Sequence, residues 1–136
     1  MKRLIFIILG VIHVFVAISA IPADYSALLQ SDGRGLNIIA DKLVNSSIND
    51  LFLPGSILFV LLGFLNLINA FLCFLKSINA PVFGLLLGEL IITWIILQVS
   101  FFGLTGFMQP TYFVIGTIQI FLSLQLFKQI DKDASY

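Results

Sequence analysis

Charge is what this sequence has least of. Only 10% of its 136 residues are charged, where a soluble domain carries about 25%. The seven basic and seven acidic side chains cancel, and no basic run is dense enough to hold a nucleic acid, so no such partner is expected. Cysteine is scarcer still. Cys73 stands alone, which rules out an intrachain disulfide and any dithiol redox chemistry, and it reads as a small core residue of an apolar helix. The single histidine, His13, falls short of the three protein ligands that a catalytic zinc usually takes. No phosphate loop, nucleophile elbow or HExxH motif is present, so neither a metal nor a cofactor is expected.

What the chain has in abundance is apolar length. Hydrophobic residues make up 60% of it, with a mean hydropathy of +1.11. Four apolar stretches, at 4–22, 54–75, 80–102 and 111–128, each approach the ~20 residues needed to cross a bilayer. Backbone polar groups in lipid must be bonded within the segment, so the stretches read as helices. "KSIN" before Pro81 separates the second from the third. "GLTGFMQP", with Gly103, Gly106 and Pro110, separates the third from the fourth. Short connections join antiparallel neighbours. The expectation is an all-α fold: one transmembrane domain over residues 1–136, an up-down four-helix bundle with one long external loop at 23–53. The first stretch also admits a second reading. Met1-Lys2-Arg3, an apolar core and "AISAIPA" resemble a secretory signal peptide, which would leave three spans after cleavage near residue 20.

Lysine and arginine placement orients the bundle. Lys2, Arg3, Lys76, Lys128 and Lys132 fall on one side and only Arg34 and Lys42 on the other, so the positive-inside rule puts both termini in the cytoplasm of an inner (cell) membrane protein. The external loop carries Asp24, Asp32, Asp41 and Asp50 and is acidic on balance. Within it "LNIIADKLV" spaces its apolar residues for a short interfacial helix or lid, and Asn45-Ser46-Ser47 is a glycosylation acceptor only in a host that glycosylates.

Against this background Glu89, inside "GLLLGELIITW", is the anomaly, because an ionisable side chain at membrane depth is by default a functional-site hypothesis. Counting inward from the predicted cytoplasmic ends, the ninth step reaches His13, Asn66, Glu89 and Gln119, about 13–14 Å deep at 1.5 Å per residue. The four are expected to face inward and satisfy one another as a polar intramembrane layer. Either a neutral hydrogen-bonded set or a buried ion pair between His13 and Glu89 would satisfy the inventory. A second polar band nearer the outer face is expected from Ser19, Gln98, Gln109 and Thr111. Such layers often do no more than fix which helix faces which. Small residues add packing signals: Gly84 and Gly88 form GxxxG, while Ser56, Gly63 and Ala70 recur every seven residues on the second helix. The same glycines are able to serve a homo-oligomer.

The stretches "LPGSILFVLLGFLN", "WIILQ" and "QPTYFVIG" resemble small four-helix bacterial membrane proteins of the DoxX-like kind, over roughly the last two thirds of the chain. The resemblance falls on Trp94, Gln98, Gln109, Pro110, Tyr112 and Gly116. It implies a pocket under the external loop, built around Trp94, Gln98, Gln109 and Tyr112. Glu89 and His13 lie outside its pattern. Two readings of function follow. One is a binding or accessory membrane component that meets a lipid-soluble ligand or a partner's membrane helix. The other is a small proton-coupled carrier or intramembrane enzyme using Glu89 and His13.

Overall fold

The computed structural model describes residues 1–29, 49–104 and 106–134. They form four helices: α1 (Lys2–Leu29), α2 (Asn49–Phe74), α3 (Ala80–Phe102) and α4 (Met108–Ala134). No strand occurs among the described residues. The third helix has the bounds expected from sequence. The others run longer: α1 continues through Pro22 to Leu29, and α2 begins at Asn49, ahead of Pro54. Both ends of the expected loop are therefore helical. The interfacial segment at 36–44 and the acceptor at Asn45 lie outside the described residues.

Three helical segments, Lys2–Ala20, Ala80–Ser100 and Met108–Ala134, are long and apolar enough to cross a membrane, and Leu61–Phe74 of α2 is a shorter apolar stretch. The distribution of side chains is that of a membrane protein. Many bulky residues point outward, with Phe71 64% and Phe121 59% exposed, while the interior mixes Leu9, Leu62, Leu87 and Leu126 with the small Ala17, Ala20, Ala70, Ala80 and Cys73 and with polar groups. Soluble proteins arrange these classes the other way round. In lipid there is no hydrophobic gain from burying a phenylalanine, and small residues at contacts let helices approach.

The most extensive contacts pair α1 with α2 and α3 with α4, with smaller contacts of α2 on α3 and α1 on α4. Residue contacts give the directions. A Cβ at Gly10 would meet Phe74 and Cys73, whereas His13, farther along α1, meets Asn66, so α1 and α2 run antiparallel. Gly84 faces Ser123 and Gly88 faces Gly116, so α3 and α4 do too. Lys2 Nζ donates to Asp133 Oδ2 at 2.7 Å, which brings the start of α1 beside the end of α4.

The α3–α4 crossing depends on two glycines. A Cβ on Gly88 would lie 2.7 Å from Ile120 Cγ1 and 2.9 Å from the Gly116 carbonyl oxygen, and one on Gly116 would lie 3.1 Å from the Gly88 carbonyl oxygen. The contact is reciprocal, so each glycine's Cα–H direction leads to the other's carbonyl, the geometry of paired Cα–H···O contacts. Gly84 and Gly88 are thus buried within the chain, and Gly63 is buried as well. The expectation that the GxxxG pair serves an oligomer gives way, because that face is already covered by α4.

The turns follow local backbone chemistry. After α2, Ser77 N donates to Leu72 O and Lys76 N to Cys73 O, both at 2.9 Å, and Lys76 has φ 54. This is a Schellman cap with lysine where glycine is usual. After α3, Gly103 adopts φ 73 and ψ −175, a region open essentially to glycine alone, and its N–H donates to Val99 O. Pro110 falls in the first turn of α4, where a missing amide hydrogen costs nothing.

Two expectations follow for the detergent-solubilised protein, read from the midpoint of unfolding in sodium dodecyl sulfate. Gly88→Leu should destabilise it by about 1–3 kcal/mol through overpacking, while Gly106→Ala, with nothing within 4 Å of the added methyl, should change it by less than about 0.5 kcal/mol. Lys76→Gly should instead stabilise it by about 1 kcal/mol, because it removes the steric cost of a side chain in the left-handed region.

Candidate functional site

The interior is layered. One apolar cluster holds Val16, Leu62, Leu87, Ile91, Ile95 and Tyr112; the other holds Phe6, Leu9, Cys73, Ala80 and Leu126. Between them lie His13, Asn66, Asn69, Gln119 and Ser123, each no more than 1% exposed. Three of the four residues expected at one depth, His13, Asn66 and Gln119, meet here.

The hydrogen bonds define the layer. His13 Nδ1 is 2.5 Å from Asn66 Oδ1, and its Nε2 is 2.8 Å from Asn69 Nδ2. With the carboxamides in this orientation Asn69 donates to Nε2, so the ring carries its proton on Nδ1 and gives it to Asn66 Oδ1. Gln119 Nε2 lies 3.0 Å from Nδ1, but a protonated nitrogen accepts nothing. Its bond goes to Asn66 Oδ1 at 3.1 Å. Asn66 Nδ2 in turn donates to its own helix at Leu62 O, 2.8 Å away. Asn66 is therefore the hub: its oxygen accepts from α1 and α4 while its amide group is anchored on α2. Asn69 Oδ1, Gln119 Oε1 and Ser123 Oγ have no hydrogen-bond partner among the described residues.

Glu89 is not in this layer. It is exposed on the outer side of α3, although the contact of the neighbouring Gly88 with Gln119 puts it at the same level. The correction is one of azimuth. Gly84, Leu87, Gly88, Ile91 and Ile95 define the buried face of α3, and at roughly 100° per residue Glu89 points roughly 150° from its centre. At this level α3 contributes glycines, not a polar group. An ion pair between His13 and Glu89 is accordingly absent.

Two layer residues went unforeseen. Asn69 has a plain signal, since it is three residues from Asn66 and shares its helix face. Ser123 stands in the same relation, four residues on, to Gln119. Gly10, which lets α1 settle on Phe74 and Cys73, carried no motif.

The outer band is only partly assembled. Tyr112 Oη donates to Ser19 Oγ at 2.6 Å, and Ser19 Oγ in turn donates to Phe15 O at 2.7 Å. Gln109 Nε2 donates to Gly103 O at 3.3 Å, closing the α3–α4 turn. Trp94 and Tyr112 line a small apolar pocket with Val16, Ala20, Leu62, Ile91 and Ile95, and Gln98 and Gln109 are not among its walls. The Trp94 indole N–H is buried and has no partner among the described residues. Thr111 donates back to Phe107 O at 2.8 Å on the exposed side. Among the described residues no group of three or more histidine, cysteine or acidic side chains is placed to hold a metal ion. Comparison with protein-family models, with curated proteins and with solved structures finds no match for this chain.

The hub role of Asn66 sets an order of effects. Asn66→Leu strands the donors of His13 and Gln119 and should cost about 1–3 kcal/mol in the same unfolding assay. Asn69→Leu removes a single bond and should cost about 0.6–2 kcal/mol. Equal losses would show that the layer has no hub.

Proposed function

We propose that this chain is a four-span, up-down bundle of the bacterial inner membrane with both termini in the cytoplasm, acting as a binding or accessory component and not as a proton carrier. The observation that carries this reading is the separation of His13 from Glu89. Both histidine nitrogens are engaged by neutral carboxamides, and the carboxyl that would exchange a proton with them is on the far side of α3. A relay needs its groups within hydrogen-bond reach or linked through one water. The buried layer then serves as a register lock, a common role of polar side chains between membrane helices. The orientation is supported by Lys2 and Asp133 sharing one end of the molecule, with Lys76 in the turn after α2. The DoxX-like resemblance is compatible with this reading and adds no activity to it.

The test is proton flux into liposomes that carry the purified protein and a trapped pH dye. Wild type, His13→Asn and Glu89→Gln are expected to show the same slow leak as empty vesicles. A flux that wild type supports and both variants lose would replace the accessory reading with the carrier. In a Cys73→Ala background, single cysteines at Ser77 and Asp133 should react with an impermeant maleimide only from the cytoplasmic side, and one at Gly106 only from the outside.

A further inference from the structure

The outer side of α3 carries a polar stripe that the buried layer does not use. Val82, Leu86, Glu89, Thr93, Ile96 and Ser100 are all exposed, and their spacing alternates four and three residues. That is the seam by which one helix packs along another at a shallow angle. Within the apolar stretch Ala80–Ser100 the fully exposed polar residues are Glu89, Thr93 and Ser100, and all three fall on this one line.

The hydroxyls supply a second observation. Ser19, Ser100, Thr111 and Thr117 each donate to the carbonyl four residues earlier, the usual way to satisfy a hydroxyl on a membrane helix. Thr93 makes no such bond, and the carbonyl it forgoes belongs to Glu89. A carboxyl and a hydroxyl one turn apart thus both lack partners among the described residues, on a surface that faces hydrocarbon in the membrane reading.

We infer that this stripe is the interface with a second copy of the chain, the two α3 helices packing in parallel about a twofold axis so that Glu89 and Thr93 of each copy bond across it. The inference rests on the accessory membrane reading above. Copies inserted in the same orientation present Glu89 at identical depth, a match no other partner is bound to offer. The set is also self-complementary, since a carboxyl and a hydroxyl between them donate and accept. Among the described residues no cation is at hand: Lys2, Arg3, Lys76, Lys128 and Lys132 all lie toward the helix ends. The GxxxG face, the usual alternative for close pairing, is occupied by α4.

The experiment uses the full chain in vesicles of phosphatidylcholine and phosphatidylglycerol over a wide range of protein-to-lipid ratios. Oligomeric state is read by stepwise photobleaching of one dye per chain. Two-step bleaching is expected, and Glu89→Leu should move the dimerisation curve by about 10- to 100-fold in density, the effect of losing two interhelical hydrogen bonds. Glu89→Gln, which still donates and accepts, should stay within about tenfold of wild type on the same scale. In the Cys73→Ala background, cysteines at Thr93, Ile96 and Ser100 should form disulfides between copies, while those at Phe83 and Leu90, off the seam, should not. Monomers at every density, or cross-linking without this period, would overturn the second-copy interface. Monomers without proton flux would leave the accessory reading standing, with a basic helix of another protein as the occupant of the stripe. Flux that depends on Glu89 would strike the accessory reading whatever the oligomeric state.

Discussion

Asn66 Oδ1 accepts from the His13 ring and from Gln119, and that one oxygen ties three helices together. Where water is scarce, a donor aimed at lipid costs more than a donor aimed at a neighbour. Rotating or sliding any one of α1, α2 or α4 would leave a donor without its acceptor. The apolar clusters on either side of the layer have no comparable selectivity, since leucine against leucine is nearly indifferent to a one-turn slip when lipid is equally apolar. Register in this protein is therefore a polar property, and density of packing an apolar one.

The fourth helical contact is made in another way. At the level where α1, α2 and α4 exchange hydrogen bonds, α3 presents Gly84 and Gly88. The absence of side chains lets its backbone come within reach of the Gly116 carbonyl and leaves room for the Ser123 hydroxyl over Gly84. Dispersion and Cα–H···O contacts gain from this closeness, each weak and all dependent on the two glycines staying bare. Two modes of membrane-helix association thus meet in one plane: carboxamide bonding on one side, and backbone approach on the other.

That division explains what the sequence disclosed and what it withheld. Four apolar stretches of spanning length announce four helices, because length and composition are local properties. Depth was legible as well, since a count of residues from a charged end measures distance along an axis; His13, Asn66 and Gln119 do share a level. Azimuth was not. Whether a side chain looks inward depends on which face its helix buries, and the polar residues of α3 are too few for its overall pattern to declare that face strongly. The small residues Gly84 and Gly88 mark the buried face and set Glu89 outside it. Asn69 was readable by the same rule, three residues from Asn66. Pro22 and Pro54 suggest helix boundaries in sequence, yet both lie within helices, so α1 ends later and α2 begins earlier than the apolar stretches do.

The position of Glu89 has an energetic consequence for what the chain is for. An ionised side chain at the centre of a span costs at least ~2.5–3.5 kcal/mol on insertion scales, and among the described residues Glu89 makes no bond to offset it. Leucine there would leave every contact of the buried layer and the glycine crossing intact. The residue therefore adds nothing to the fold of the single chain and works against its insertion. His13, Asn66 and Gln119 are also costly in lipid, yet each bonds to another of the set, so their presence is explained from inside. Glu89 has no such explanation among the described residues, and the proposed contact between copies would supply one. Thr93, one turn away with a hydroxyl that forgoes the Glu89 carbonyl, points in the same direction. The chemistry of this protein is thus divided between an interior that closes on itself and one exposed line that does not.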